Sequence, residues 1–433
     1  MTARPRLPTR RRVLAGLGAL AGPSIMGIGA SGKAPDKQKP VLTGAERLAA
    51  DGFAPLRGKR VGLITNHTGR IGDGRLIDAL ATAPGVSLVA ILTPEHGLTG
   101  TTEAGAKVVG GFDAATGVKV HSLYGSSYRP TPDMLAGLDV LVFDMQDIGT
   151  RFYTYISTMG LAMQAAAAAR LPFVVLDRPN PLGGDYVSGF VLEPAFASFV
   201  GRFRIPIAHG LSVGELARMV KGERMLAGLD GLALDVVAAS GWRRDMRWPE
   251  TGRAWFATSP NIPTFETALA YAGTGLFEAT VASEGRGTPA PFLLLGHDKA
   301  DAGAIVRDLA DARLPGVRFE AGGMTPRAIE GVASSPRFRG RRIAAVQLAI
   351  TDVAQYQPVE AGAHLLAAFH KSLGLANAGP LVTDMHARMF DRLAGTDRLR
   401  MALDRGATGA AIIAAWQSEV ARFRQRRARY LAY

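Results

Sequence analysis

A glutamate framed as Pro94-Glu95-His96-Gly97 and a second framed as Ser283-Glu284-Gly285-Arg286-Gly287 are the sharpest chemical signals in the chain. Pro94 fixes its own φ and helps hold a turn, while Gly97 permits close backbone approach, so Glu95 is set up for a catalytic role as proton donor or acceptor. Glu284 and Arg286 are two residues apart, which in an extended segment puts both on one side. They can therefore face one ligand together, or simply pair with each other in a loop. Other candidates follow apolar runs: Thr65-Asn66-His67, Asp144-Met145-Gln146-Asp147 with Arg151-Phe152-Tyr153 after it, and Asp177-Arg178-Pro179-Asn180. Asn66 is equally suited to capping a helix, and Asp144 and Asp177 to holding loop amides. Asn261 in Ser259–Thr264 and the tyrosines Tyr124 and Tyr128 complete the set, the last two able to stack on a sugar ring or to serve as plain rim aromatics.

These residues need elements to position them. Apolar runs at Arg60–Thr65, Ser87–Thr93, Val140–Asp144 and Phe173–Asp177 alternate with helical stretches at Leu76–Ala83, Pro132–Ala136 and Gly160–Arg170. Such alternation predicts βαβ units and a mostly parallel sheet buried on both faces. The expected fold is α/β, a Rossmann-like doubly wound sheet extending through a helix at Val213–Val220 and a strand at Leu232–Val237. Ligands of such sheets bind outside the carboxyl ends of the strands, where four of the candidate loops begin. Past residue 295 the texture changes to a smaller α/β domain over 296–433, with strands at Gly316–Glu320 and Ile343–Ile350 and helices at Ala302–Asp311, Ala361–Ser372, Ala387–Leu393 and Gly409–Tyr430. The catalytic domain is then 42–295.

The N-terminus reads as an export signal over 1–30. Arg10, Arg11 and Arg12 precede the apolar stretch Val13–Ala21, with small residues at Gly29, Ala30 and Ser31, which suggests the twin-arginine route and a periplasmic or secreted protein. The polar 31–41 reads as a linker. The stretch is too short and Gly-rich for a membrane span, so no stable membrane anchor is expected. Of the formal +13 charge, five arginines fall in 1–30, leaving +8 beyond them. No Lys/Arg run interleaves with aromatics, which argues against nucleic acid. The chain has no cysteine, hence no disulfide, thiolate site or acylation site. His67, His96, His121 and His209 form no HExxH, and no GxGxxG follows the first strand, so neither metal nor cofactor is expected. A serine elbow GxSxG is also missing. Oligomeric state is not legible.

Taken in order, PEHG at 94–97, Tyr124-Gly125, FDMQDIGTRFYTY at 143–155, LDRPNPLGG at 176–184, GWRRDM at 241–246, SPNIPT at 259–264 and SEGRGT at 283–288 resemble the exo-β-N-acetylmuramidase family, long known only as a domain of unknown function. The resemblance runs from Val61 to FDRLAGT at 390–396, with 297–340 diverging. It implies release of N-acetylmuramic acid from the non-reducing end of peptidoglycan-derived glycans, on a Rossmann-like fold with a smaller C-terminal domain. Glu95 stands where that family places its catalytic glutamate. Glycoside cleavage needs an acid for the leaving oxygen and stabilisation of an oxocarbenium-like centre. Glu95 is then the acid and Glu284 the second carboxylate, with Asp144 in reserve, unless the substrate's acetamido group is itself the nucleophile. Arg151 and Arg286 are candidates for the lactyl carboxylate. Asn66, His96, Tyr124, Gln146, Tyr153, Asp177 and Asn261 complete the expected substrate contacts. The alternative is a periplasmic sugar- or muropeptide-binding protein without catalysis.

Overall fold

The first strand, Arg60–Thr65, is buried from Val61 onward and alternates its side chains between two cores. Val61 and Leu63 join Leu48, Leu76 and Leu80 on one face, while Ile64 joins Phe143 and Met159 on the other. A strand apolar on both faces must be covered twice, which only flanking helices accomplish. The computed structural model describes residues 40–433. The expected export signal and residues 31–39 of the linker lie outside the described residues.

In chain order the strands are β1 Arg60–Thr65, β2 Arg70–Ile71, β3 Gly74–Arg75, β4 Ser87–Thr93, β5 Gly111–Phe112, β6 Lys119–Ser122, β7 Val140–Asp144, β8 Phe173–Leu176, β9 Leu234–Val237, β10 Leu294–His297, β11 Val317–Met324 and β12 Ile343–Ile350. The helices are α1 Gly44–Ala50, α2 Leu76–Thr82, α3 Pro132–Leu135, α4 Tyr155–Ala168, α5 Val213–Gly222, α6 Phe265–Thr274, α7 Ala302–Asp311, α8 Pro358–Leu375, α9 Asp384–Ala394, α10 Arg398–Asp404 and α11 Gly409–Arg427.

The main sheet runs β5-β6-β4-β1-β7-β8-β9, parallel throughout except for the edge strand β5. Among the parallel strands the order therefore grows outward on both sides of β1, the doubly wound arrangement. The second sheet, β10-β12-β11, is antiparallel and forms the smaller C-terminal portion with the helices from α7 onward. One continuous core joins the β7 side of the main sheet to α6, α8 and α11, through Phe143, Leu269, Phe369 and Trp416. Helices α6 and α8 meet backbone to backbone: a Cβ added at Gly362 would lie 2.6 Å from Gly273 Cα. Among the described residues, no helix is long and apolar enough to cross a membrane.

Candidate active site

The loop after β4 is built on a left-handed turn. His96 holds φ 70° and Gly97 φ 75°; such a φ suits glycine but is uncommon for a residue with a Cβ. Two contacts to one residue hold His96 there. Its Nδ1 donates to the Thr102 carbonyl at 2.8 Å, and its own carbonyl accepts from the Thr102 amide at 3.2 Å. A carbonyl only accepts, so Nδ1 carries the proton. Burial pushes the imidazole pKa down, so near neutral pH the ring is uncharged and Nε2 is an acceptor.

This turn presents Glu95, which is only 8% exposed. Its Oε1 accepts from the Gly105 amide at 3.0 Å and its Oε2 from the Thr154 hydroxyl at 2.8 Å. Thr154 stands at the N-cap of α4, yet its side chain makes no capping bond. The hydroxyl that would satisfy a helix amide goes to the carboxylate instead, and Glu95 thereby sits at the positive end of a 14-residue helix. Tyr124 stands beside this carboxylate. Burial and the neighbouring Glu95 raise its pKa, so the phenol keeps its proton.

Facing Glu95 is a cleft of about 280 Å³. Tyr153 and Phe152, from the segment between β7 and α4, line it with Tyr271 of α6 and Phe292. These rings pack edge to face, Phe152 to Tyr271 at 5.3 Å and Tyr271 to Phe292 at 4.7 Å, giving a stiff apolar floor. Ser259 and Asn261 come from the SPNIPT loop, with Asn261 Nδ2 donating to the Val332 carbonyl at 2.7 Å. Opposite them stands an ion cluster. Arg286 pairs with Glu278 and, through Nε, with Glu284 at 3.1 Å; Arg337 also reaches Glu284, at 3.2 Å. Glu278 and Arg286 line the cleft, whereas Glu284 lies behind them. Burial raises the pKa of the Glu278 carboxyl; Arg286 opposes the rise, and Glu284 and Glu95 add to it.

Six of the residues singled out in the sequence thus converge: Glu95, His96, Tyr124, Tyr153, Asn261 and Arg286. Five others do not line the cleft. Asp144, fully buried, binds Arg178 bidentately at 2.7 and 2.9 Å. Asp177 accepts from Ser212 and Tyr433 hydroxyls at 2.7 Å each and from the Gly214 amide at 2.8 Å. Asn66 accepts from the amide and hydroxyl of Thr68, and the Thr68 hydroxyl accepts in turn from the Gln146 amide. Gln146 Nε2 donates to the carbonyls of Asp147 and Pro179. Arg151 is fully buried and donates to the carbonyls of Phe190, Ile205 and Leu393 at 2.7, 3.0 and 2.8 Å. Both its terminal nitrogens are spent on backbone carbonyls and the residue does not line the cleft, so it presents no fork to a substrate carboxylate there. The expectation that four strand-end loops share one crevice therefore needs correcting. The β4 loop opens onto the cleft, and the segment after β7 reaches it only from Phe152 onward. The ends of β7 and β8 are closed by the polar layer just described, while Asn66 and His67 at the end of β1 face a separate cavity of about 730 Å³.

Sequence reasoning passed over Glu278, Tyr271 and Phe199 and named Thr154 and Ser259 only within longer stretches; all five line the cleft. Glu278 carried a usable signal. It is an acid inside the largely apolar Gly275–Ala282, where an unpaired carboxylate would be costly.

Two family descriptions match the chain from residue 61 onward: exo-β-N-acetylmuramidase NamZ, N-terminal, over residues 61–266, and its C-terminal counterpart over residues 269–433. The chain belongs to the exo-β-N-acetylmuramidase family. Among members of this family, it is 38% identical over 402 residues to the peptidoglycan β-N-acetylmuramidase NamZ of Bacillus subtilis, covering 92% of each chain. Two solved structures of DUF1343 family proteins from Bacteroides fragilis superpose with TM-scores of 0.82 and 0.75. Their identities are 36% and 33%, each covering 91% of this chain and 99% of the other. The muramidase likeness thus spans both the main sheet and the C-terminal elements.

Proposed function

We propose that this chain is an exo-acting glycoside hydrolase that removes N-acetylmuramic acid from the non-reducing end of peptidoglycan-derived glycans. The observation that carries the reading is Glu95, anchored by Thr154 and Gly105 beside Tyr124 at the edge of a cleft too small for more than about one sugar ring. Glu95 is the general acid for the leaving oxygen. Glu278, rather than the more deeply placed Glu284, is the second carboxylate at the cleft, suited to orienting the acetamido group or steadying an oxocarbenium-like centre. Arg286 Nη2 and Nε are taken by Glu278 and Glu284, and Nη1 carries no protein bond among the described residues, leaving a donor for the lactyl carboxylate. Neutral His96 offers Nε2 to a sugar hydroxyl.

The test is release of free N-acetylmuramic acid from its β-linked disaccharide with N-acetylglucosamine, alongside the same disaccharide capped by a further sugar at the non-reducing end. The first is cleaved and the second is not. Binding without cleavage of the first would leave a sugar-binding protein; cleavage of both would contradict exo action. Export is part of the proposal, supported by Arg10–Arg12 ahead of Val13–Ala21. Replacing the three arginines with lysine should leave the precursor in the cytoplasm, and an unchanged exported yield would refute the twin-arginine route.

A further inference from the structure

Three aromatic rings meet at the mouth of the cleft, outside the apolar core. Tyr128 lies 5.2 Å from Tyr124, edge on, and 4.5 Å from Phe199, while Tyr124 and Phe199 stand 6.0 Å apart. Tyr124 and Tyr128 follow β6, and Phe199 comes from the irregular segment after β8, so distant stretches of chain converge on this point. Tyr128 leaves 44% of its surface exposed, while Tyr124 and Phe199 line the cleft. A cluster of rings left open to water at a cleft mouth marks a surface that something apolar covers.

We infer that Tyr124, Tyr128 and Phe199 form the seat for the sugar on the leaving-group side of the scissile bond. The inference rests on the proposed hydrolase activity, and on which side of Glu95 the rings lie. An acid that protonates a glycosidic oxygen touches the atom shared by two sugars. The terminal sugar occupies the closed side of Glu95, against Glu278 and Arg286. The second sugar must leave by the open side, where Tyr124 joins the acid to the exposed ring of Tyr128. The apolar C–H face of a pyranose matches a phenol ring. The nearest cation along the chain, Arg129, donates to the Gln164 carbonyl at 3.1 Å. Such a platform takes a neutral acetamido sugar such as N-acetylglucosamine.

The experiment compares kcat/KM on the muramyl disaccharide with kcat/KM on methyl β-N-acetylmuramide, whose leaving group has no ring to stack. The proteins are wild type, Tyr128→Ala and Tyr128→Phe. The disaccharide-to-methyl ratio should fall about three- to tenfold in Tyr128→Ala, the worth of one aromatic contact. Tyr128→Phe keeps the ring and should keep the ratio. An unchanged ratio in Tyr128→Ala overturns the inference. If wild type cleaves neither compound, the hydrolase reading falls by itself, and NMR titration with N-acetylglucosamine then decides the platform. Saturable binding to wild type that is weakened in Tyr128→Ala supports it; identical titrations of the two proteins overturn it.

Discussion

The loop after β4 and the loops after β1, β7 and β8 leave the same edge of one sheet, and each begins with polar residues. Their carboxylates are held differently. Glu95 is met by one amide and one hydroxyl and keeps a face to the cleft. Asp144 is met by a buried guanidinium, and Asp177 by two hydroxyls and loop amides, with nothing left over for a ligand. In a doubly wound sheet the crevice is expected where strand order reverses, beside β1 and β7. Here that position is filled by the Asn66–Thr68–Gln146 network and the Asp144–Arg178 pair, and the working cleft is displaced toward β4 and the C-terminal elements. A carboxylate at a strand end is therefore a reactive group only if its partners leave one side open.

The comparison breaks most visibly if the sealed side is opened. Asp144→Asn leaves Arg178 buried with a poor partner, and disrupting a buried pair in this way typically costs about 3–5 kcal/mol. Urea unfolding should show a loss of that order, while turnover of the folded fraction stays near wild type. A collapse of turnover without loss of stability would move Asp144 into the site.

Asp147 sharpens the contrast through pH. It is 5% exposed, its Oδ1 has no partner, and burial raises its pKa to about 7. An unfolded aspartate ionises near 3.9, so between about pH 4 and 7 the folded chain holds a proton that the unfolded chain has lost. Stability attributable to this group is thus lost as pH rises through that window. Asp147→Asn should raise the unfolding free energy at pH 8 by on the order of 2 kcal/mol and change it little at pH 4. Equal effects at both values would place a compensating charge beside Asp147.

Thr154→Val removes the hydroxyl from Glu95 Oε2 and keeps the side chain's shape. Since that hydroxyl caps nothing, stability should hold while kcat falls about tenfold, the worth of one hydrogen bond to a charged group. Lost stability with unchanged kcat would make Thr154 a structural cap after all.

Much of this was legible in the sequence. The strands β1, β4, β7 and β8 announced themselves as short, mostly apolar runs, because a parallel sheet covered on both faces favours little else. Glu95 was legible because Pro94 and Gly97 frame a turn around a charged residue that has no packing role. The short strands β5 and β6 were missed, having few residues and little periodicity. The fates of Asp144, Asp177 and Arg151 were not legible either, since each is decided by a partner far along the chain: Arg178, Tyr433 and the Leu393 carbonyl. Glu278 escaped because its meaning depends on Arg286 closing over it, eight residues later.

The central claim, that the β4 loop carries the chemistry, is tested most directly by Glu95→Gln. The measurement is turnover of the muramyl disaccharide beside the thermal midpoint of the same protein. The amide keeps the shape and loses the transferable proton, so turnover should drop by about 10²–10⁴-fold while the midpoint stays close to wild type. A variant that retains most of its activity would contradict the account and pass the acid's role to Glu278.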